Sequence, residues 1–170
     1  MKLIKQATKN ICEIGKERIR RAGEKIKADN PLTTQDLDIG FRVFKVDSSN
    51  MNDVYYSAGE YSQDMLVNLE DNIKPDRTDL DLLFGCLLDW GLPISLPYTS
   101  EQIENCTVHT YNDGDLVACF DENIPESVIK EIAKRKPLRA VFRDAGFGSS
   151  PEKINVTEIF KMLALILMLR

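Results

Sequence analysis

Several stretches of this 170-residue chain combine residue types and spacings that could do chemistry. The run Asp144-Ala-Gly-Phe-Gly-Ser-Ser150 places glycine amides ahead of a helix start, an arrangement that binds phosphate, but it lacks a lysine and the full GxGxxG spacing. A flexible connector whose Ser150 caps the next helix explains it better. Asp113 with Asp115, and Asp79 with Asp81, are paired carboxylates by sequence. No His, Lys or further carboxylate supports either pair at a fitting spacing, so turn and cap duty accounts for them better than acid/base work. Cys106 and His109 form a lone Cys-x-x-His, yet on a strand an offset of three points the two side chains to opposite faces. His109, the only histidine, reads as structural. Tyr55, Tyr56 and Tyr61 make either a stacking platform or core residues with a wet edge. Lys16, Arg18, Arg20, Arg21 and Lys25, with Lys27, could contact a phosphate backbone or a protein partner; a solvated helix face laced by Glu13, Glu17 and Glu24 explains them too. No catalytic, cofactor-binding or metal-ligating residue is assigned.

The elements that would position these residues follow from periodicity. Leu3 to about Lys27 contains no proline and repeats Cys12, Gly15, Ile19, Ala22 and Ile26 at steps of three and four, predicting an amphipathic helix roughly 37 Å long. Ile4, Ala7, Ile11 and Ile14 form a second stripe, so this helix needs apolar cover on more than one side. Gly15 and Gly23 each cost about 1 kcal/mol in a helix, a cost tolerated where a neighbouring backbone comes close. Residues 29–38 read as a linker. Phe41 to Val46 reads as a strand. Ser57 and Glu60 have capping-box spacing before a helix face of Tyr61, Met65, Leu69 and Ile73.

Thr78 should cap a buried helix ending at Trp90 and Gly91, followed by an irregular crossing marked by Pro93 and Pro97. Cys106–Tyr111 and Asp115–Phe120 flank Asn112-Asp113-Gly114 as a hairpin, the second strand apolar on both faces and so central. Pro125 opens a helix that buries Val128, Ile129, Ile132 and Ala133. With the strand Leu138 to Phe142 it makes a strand, helix, strand unit whose strands are parallel. A last helix follows Pro151. The apolar tail at 162–169 is too short to span a bilayer and must be buried or paired, unless it is an accident of the sequence. The expected fold class is α/β (or α+β): a small mixed β-sheet flanked by helices, preceded by a long basic amphipathic helix.

Charge is divided unevenly. Of 22 Lys/Arg and 27 Asp/Glu, nine basic and three acidic residues fall in the first 28 positions, leaving 13 basic and 24 acidic residues beyond them. A basic arm thus precedes an acidic body. The four cysteines are dispersed without a CxxC pair, and no signal peptide precedes them, so reduced thiols, a cytoplasmic location and no membrane association are expected.

Longer strings carry a resemblance. Ile11-Cys-Glu-Ile-Gly-Lys-Glu-Arg-Ile-Arg-Arg-Ala-Gly-Glu-Lys-Ile26 and Asp38-Ile-Gly-Phe-Arg-Val-Phe-Lys-Val-Asp-Ser-Ser-Asn-Met51 closely resemble the C-terminal part of the modification (Mod) subunit of type III restriction-modification systems. Leu116-Val-Ala-Cys-Phe-Asp-Glu-Asn123 and Ala140-Val-Phe-Arg-Asp144 resemble the same region, and together the strings cover about residues 10–160 in order. The resemblance implies an adenine-specific DNA methyltransferase that methylates the exocyclic amine with S-adenosylmethionine, pairs as a dimer and associates with a restriction (Res) subunit. The Phe-x-Gly-x-Gly cofactor loop and Asp-Pro-Pro-Tyr tetrad of that family occur nowhere here, so no catalytic or S-adenosylmethionine-binding residue carries over. On this reading 1–28 close a methyltransferase domain, 29–38 link, 39–161 are the C-terminal α/β domain, and 162–170 depart from the family pattern as a truncated or frame-shifted end or a cloned fragment. The expected work is dimerisation, Res docking or bracing the catalytic domain, with DNA met through the full-length protein. Two alternatives stay open: a free-standing interaction or DNA-binding module using the basic helix, and a small enzyme working at Asp144 to Ser150.

Overall fold

Asn10 decides where the first helix begins. Its backbone is extended and its side chain accepts from the Glu13 amide at 3.1 Å, so helix α1 runs over Ile11–Asp29; the part of the expected helix over residues 3–9 lies outside the described residues. At 19 residues it is about 28 Å long. The computed structural model describes residues 10–52, 72–163 and 167–169. The capping box at Ser57 and Glu60, most of the helix face that follows it, and Tyr55, Tyr56 and Tyr61 lie outside the described residues.

The chain divides into two compact units, residues 1–45 and 46–170. In the first, the Asn30 amide closes α1 on the Ile26 carbonyl and the Thr34 hydroxyl donates to the Asn30 carbonyl at 2.7 Å, folding the turn back on the helix end. Ile39 then lies over Gly23, where an added Cβ would stand 2.9 Å from the Ile39 Cβ; Gly15 has nothing within 4 Å of the same point. Close approach explains Gly23 alone. The strand expected at Phe41 to Val46 does not form: 41–46 enter no ladder, and Val43, Phe44 and Val46 are half or more exposed. Strand propensity is realised only when another strand supplies hydrogen bonds.

In the second unit, Met51 and Ile73 form an isolated antiparallel bridge, so Ile73 ends no helix face. Helix α2, Asp79–Asp89, starts with the predicted Thr78 cap, completed by Asp81 as a reciprocal capping box. It ends at Trp90, with Gly91 at φ +64°.

A five-stranded mixed sheet follows in sequential order: β1 (Tyr98–Ile103), β2 (Cys106–Tyr111), β3 (Leu116–Cys119), β4 (Ala140–Phe142) and β5 (Leu167–Leu169). The first three strands form an antiparallel meander, and β3, β4 and β5 run parallel through two helical connections. These are α3 (Glu126–Lys134) and α4 (Ser150–Leu163). The Asn112-Asp113-Gly114 turn and the strand, helix, strand unit stand as expected. The crossing marked by Pro93 and Pro97 is irregular, as expected, and strand β1, which the sequence did not suggest, follows it; its sequence Tyr-Thr-Ser-Glu-Gln-Ile is polar because the strand is an edge, exposed along most of its length. Part of the apolar tail pairs as β5, on the parallel side of the sheet.

Both faces of β3 are buried, which makes the unit three layers. Cys106, Val108, Val117, Cys119, Ala140 and Phe142 meet α3 and α4 on one face. Tyr111, Leu116, Ala118, Phe120 and Val141 meet α2 on the other. All four apolar residues predicted for α3 are buried. Among the described residues, no helix is long and apolar enough to cross a membrane.

Candidate functional site

Helix α1 separates the basic residues by their angular positions. Arg18, Arg21 and Lys25 recur at steps of three and four and share one face, while Lys16 and Arg20, four apart, share another. Lys16 donates to Glu13 at 2.7 Å, and that hydrogen bond, with the lysine's charge second, holds the Glu13 carboxyl below its ordinary value. Arg21 pairs with Glu17 at 2.7 Å and Arg20 with the same carboxylate at 3.8 Å; the Arg20 guanidinium also lies 5.6 Å from the centre of the Phe41 ring. Among the described residues Arg18 and Lys25 have no carboxylate partner. Exposed pairs of this kind are screened by water and exchange readily for a phosphate or a partner carboxylate.

The same helix shows an apolar side. None of its 19 residues is buried, and Ile11, Ile14, Ile19 and Ile26 are between 47% and 82% exposed. Sequence periodicity asks for apolar cover, and among the described residues nothing buries these side chains.

In the second unit the Asp144 to Ser150 loop contains a short turn over Asp144–Gly146. The Gly148 amide is already taken: the Glu152 carboxylate accepts from it at 2.9 Å. Asp144 is held by Lys153 at 2.9 Å. The chain's own carboxylate stands where a phosphate would bind, and with Glu126 it lines an adjoining cavity of about 370 Å³. Two carboxylates there repel an anion. Ser150 is the first residue of α4 and not its cap; the carbonyl of Ser149 accepts the Glu152 and Lys153 amides.

A second cavity, of about 300 Å³, opens beyond the ends of β3 and β4, where Phe120 and Arg143 face Gly85 and Asp89 of α2. Arg143 pairs with Glu122 at 3.3 Å. Asn50 reaches into the same place, its side-chain amide donating to the Asp81 carbonyl at 2.8 Å.

The carboxylate pairs do the local work expected of them, with one addition. Asn112 and Asp113 take left-handed positions of the hairpin turn at φ 43° and 54°, and Asp115 accepts from the Asn112 side chain. Asp81 is drawn below the usual carboxylate range by the Thr78 backbone amide first and the Thr78 hydroxyl second. Asp79, however, approaches His109: Oδ2 lies 3.7 Å from Nε2, while Nδ1 is 2.8 Å from the Ser100 hydroxyl. The three residue types are those of a hydrolytic triad. At 3.7 Å the carboxylate is beyond hydrogen-bond range, and Ser100 and His109 are directly opposed in the β1/β2 register, so a cross-strand pair of an exposed serine and a buried histidine is what they make.

His109 is also opposed to Ala118, on the α2 face of the sheet, whereas Cys106 belongs to the core on the α3 and α4 face. The Cys-x-x-His residues do point apart. Cys106 instead meets residues the sequence did not associate with it, Cys119 and Asp121; all three ligand-type atoms lie within 4.8 Å of one another. Only the β2/β3 register could have revealed this, since the three positions have no motif spacing.

Comparison with protein-family models, with curated proteins and with solved structures finds no match in any of the three.

Proposed function

We propose that this chain corresponds to the C-terminal region of a type III restriction-modification Mod subunit, an adenine-specific DNA methyltransferase, and that its own role there is assembly. S-adenosylmethionine binding and methyl transfer belong to other parts of such a protein, because neither family motif occurs in this sequence. The strings spread over residues 10–160 motivate the identification. The assembly role rests on one structural observation: the apolar side of α1 is exposed along the helix, with no residue buried over 19 positions. Such a stripe loses free energy in water at about 25 cal/mol per Å² of apolar surface, and covering it against the methyltransferase domain or a second copy recovers that.

The test is to mix the purified chain with a Mod subunit lacking this region, or with Res, and to measure its own mass in solution. The expected result is a complex or a self-associated chain, weakened by Ile14→Ser and Ile19→Ser. A strictly monomeric chain that joins neither subunit refutes the assembly role, and saturable tight binding of S-adenosylmethionine to the chain alone refutes the division of labour.

A second reading, a DNA-contacting module, has support from the shared face of Arg18, Arg21 and Lys25. Three phosphate contacts give a slope of about −3 in log affinity against log salt. Replacing these three residues by alanine should flatten that slope, whereas duplex affinity that ignores both salt and the replacement excludes the module.

A further inference from the structure

The β2/β3 register creates a cluster that no local motif announces. Val108 is opposed to Cys119 in an antiparallel pair, and Asp121, two residues on and just past the end of β3, is held beside Cys106 by the Thr107 backbone amide, which donates to its carboxylate. Side chains two apart on a strand share a face, and Cys106, Cys119 and Asp121 therefore converge because of backbone pairing, without long side chains having to search for one another. We propose that Cys106, Cys119 and Asp121 form a binding site for a zinc-class divalent cation, with three protein ligands and one position left to water or a further ligand.

The donor set selects the metal. Two thiolates and one carboxylate suit Zn²⁺ or Cd²⁺ and disfavour Mg²⁺ and Ca²⁺, which prefer all-oxygen shells. Distances agree with a small adjustment. Zinc–sulfur and zinc–oxygen bonds of about 2.3 and 2.0 Å at a tetrahedral angle separate sulfur from oxygen by about 3.5 Å and sulfur from sulfur by about 3.8 Å. The Cys119 Sγ to Asp121 Oδ2 distance is 3.7 Å, and no pair in the cluster exceeds 4.8 Å. Closing the site thus requires shifts of about 1 Å or less. The Thr107 backbone amide donates to Asp121 Oδ2 and orients the carboxylate, as outer-shell donors do at metal sites.

Burial and charge fit the same reading. Both thiols are buried, at 3% and 0% exposure, in the core beneath α3 and α4, while Asp121 is only partly buried and gives the cluster an approach from solvent. Asp121 and Glu104 both place negative charge near Cys106, a field that favours a cation. Binding breaks two S–H bonds and forms two metal–sulfur bonds, and both protons leave to solvent. Ligation as two thiolates therefore releases two protons for each metal bound.

Cadmium is the probe, titrated into the full chain carrying Cys12→Ser, which removes the exposed thiol on α1. One Cd²⁺ per chain is expected, with thiolate-to-cadmium charge-transfer absorbance and two protons released. Cys106→Ser and Cys119→Ser should abolish that absorbance; Asp121→Asn should keep it and weaken binding by about 10-fold or more. Native mass spectrometry of the Cys12→Ser chain provides a check that requires no core variant: the adduct should weigh one metal less two protons. Absorbance that survives loss of either buried thiol, an adduct without proton displacement, or no saturable binding near equimolar metal overturns the site.

Discussion

Replacing Gly85 by alanine is expected to leave stability nearly unchanged in the parent chain and to raise it by about 1 kcal/mol once Asn50 is also alanine. The reasoning starts from two distances. A Cβ at position 85 would stand 2.7 Å from Asn50 Nδ2, and that amide donates to the Asp81 carbonyl at 2.8 Å. Alanine within α2 gains about 1 kcal/mol of helix propensity over glycine, but the methyl group must displace the Asn50 side chain, forfeiting a hydrogen bond worth about 1 kcal/mol. The two effects cancel. Asn50→Ala alone should cost about 1 kcal/mol, and with Asn50 gone the propensity gain stands unopposed, giving a coupling energy of about 1 kcal/mol. Urea unfolding followed by fluorescence of Trp90, the only tryptophan and the C-terminal cap of α2, measures all four variants. If Gly85→Ala stabilised parent and Asn50→Ala chains equally, Asn50 would not occupy the space over Gly85, and the anchoring of the segment around Asn50 to α2 would be wrong.

Gly15→Ala and Gly23→Ala, identical in helix propensity, should part: the first gains about 1 kcal/mol, while the second meets the Ile39 Cβ at 2.9 Å and lowers α1 helicity and its melting temperature. Thr78→Ala should cost about 1 kcal/mol by removing the capping box. Because the folded state depresses the Asp81 pKa, its contribution is present above the unfolded carboxyl pKa and disappears as pH falls through the lower folded value; Asp81→Asn should remove that part of the acid dependence of unfolding. Among the thiols, Cys12 should alkylate quickly at neutral pH while Cys106 and Cys119 stay protected. Their raised folded pKa values favour the neutral thiol, so this contribution is full below the unfolded value near 9 and is lost as pH climbs through the folded values. Protection that fails at neutral pH in the folded chain, read by mass spectrometry, counts against the buried placement.

The sequence by itself determined the local elements whose signals lie within a few residues: the Thr78 capping box, the apolar side of α3, the turn at Asn112 to Gly114, and the doubly buried β3. In each case the partners are at most four positions apart or the pattern repeats along one element, so spacing alone specifies the physics. It also separated Cys106 from His109, because strand alternation needs no knowledge of the neighbours.

Tertiary structure decided whatever depends on a distant partner. Phe41 to Val46 has strand composition and no ladder, whereas polar Tyr98–Ile103 becomes β1 because β2 lies beside it. The phosphate-like loop loses that prospect to Glu152, and the basic residues of α1 divide between two faces. The meeting of Cys106 with Cys119 and Asp121 belongs here as well: a register between strands places side chains opposite one another, and hydrogen bonds formed across sequence leave no trace in the spacing of the residues they bring together.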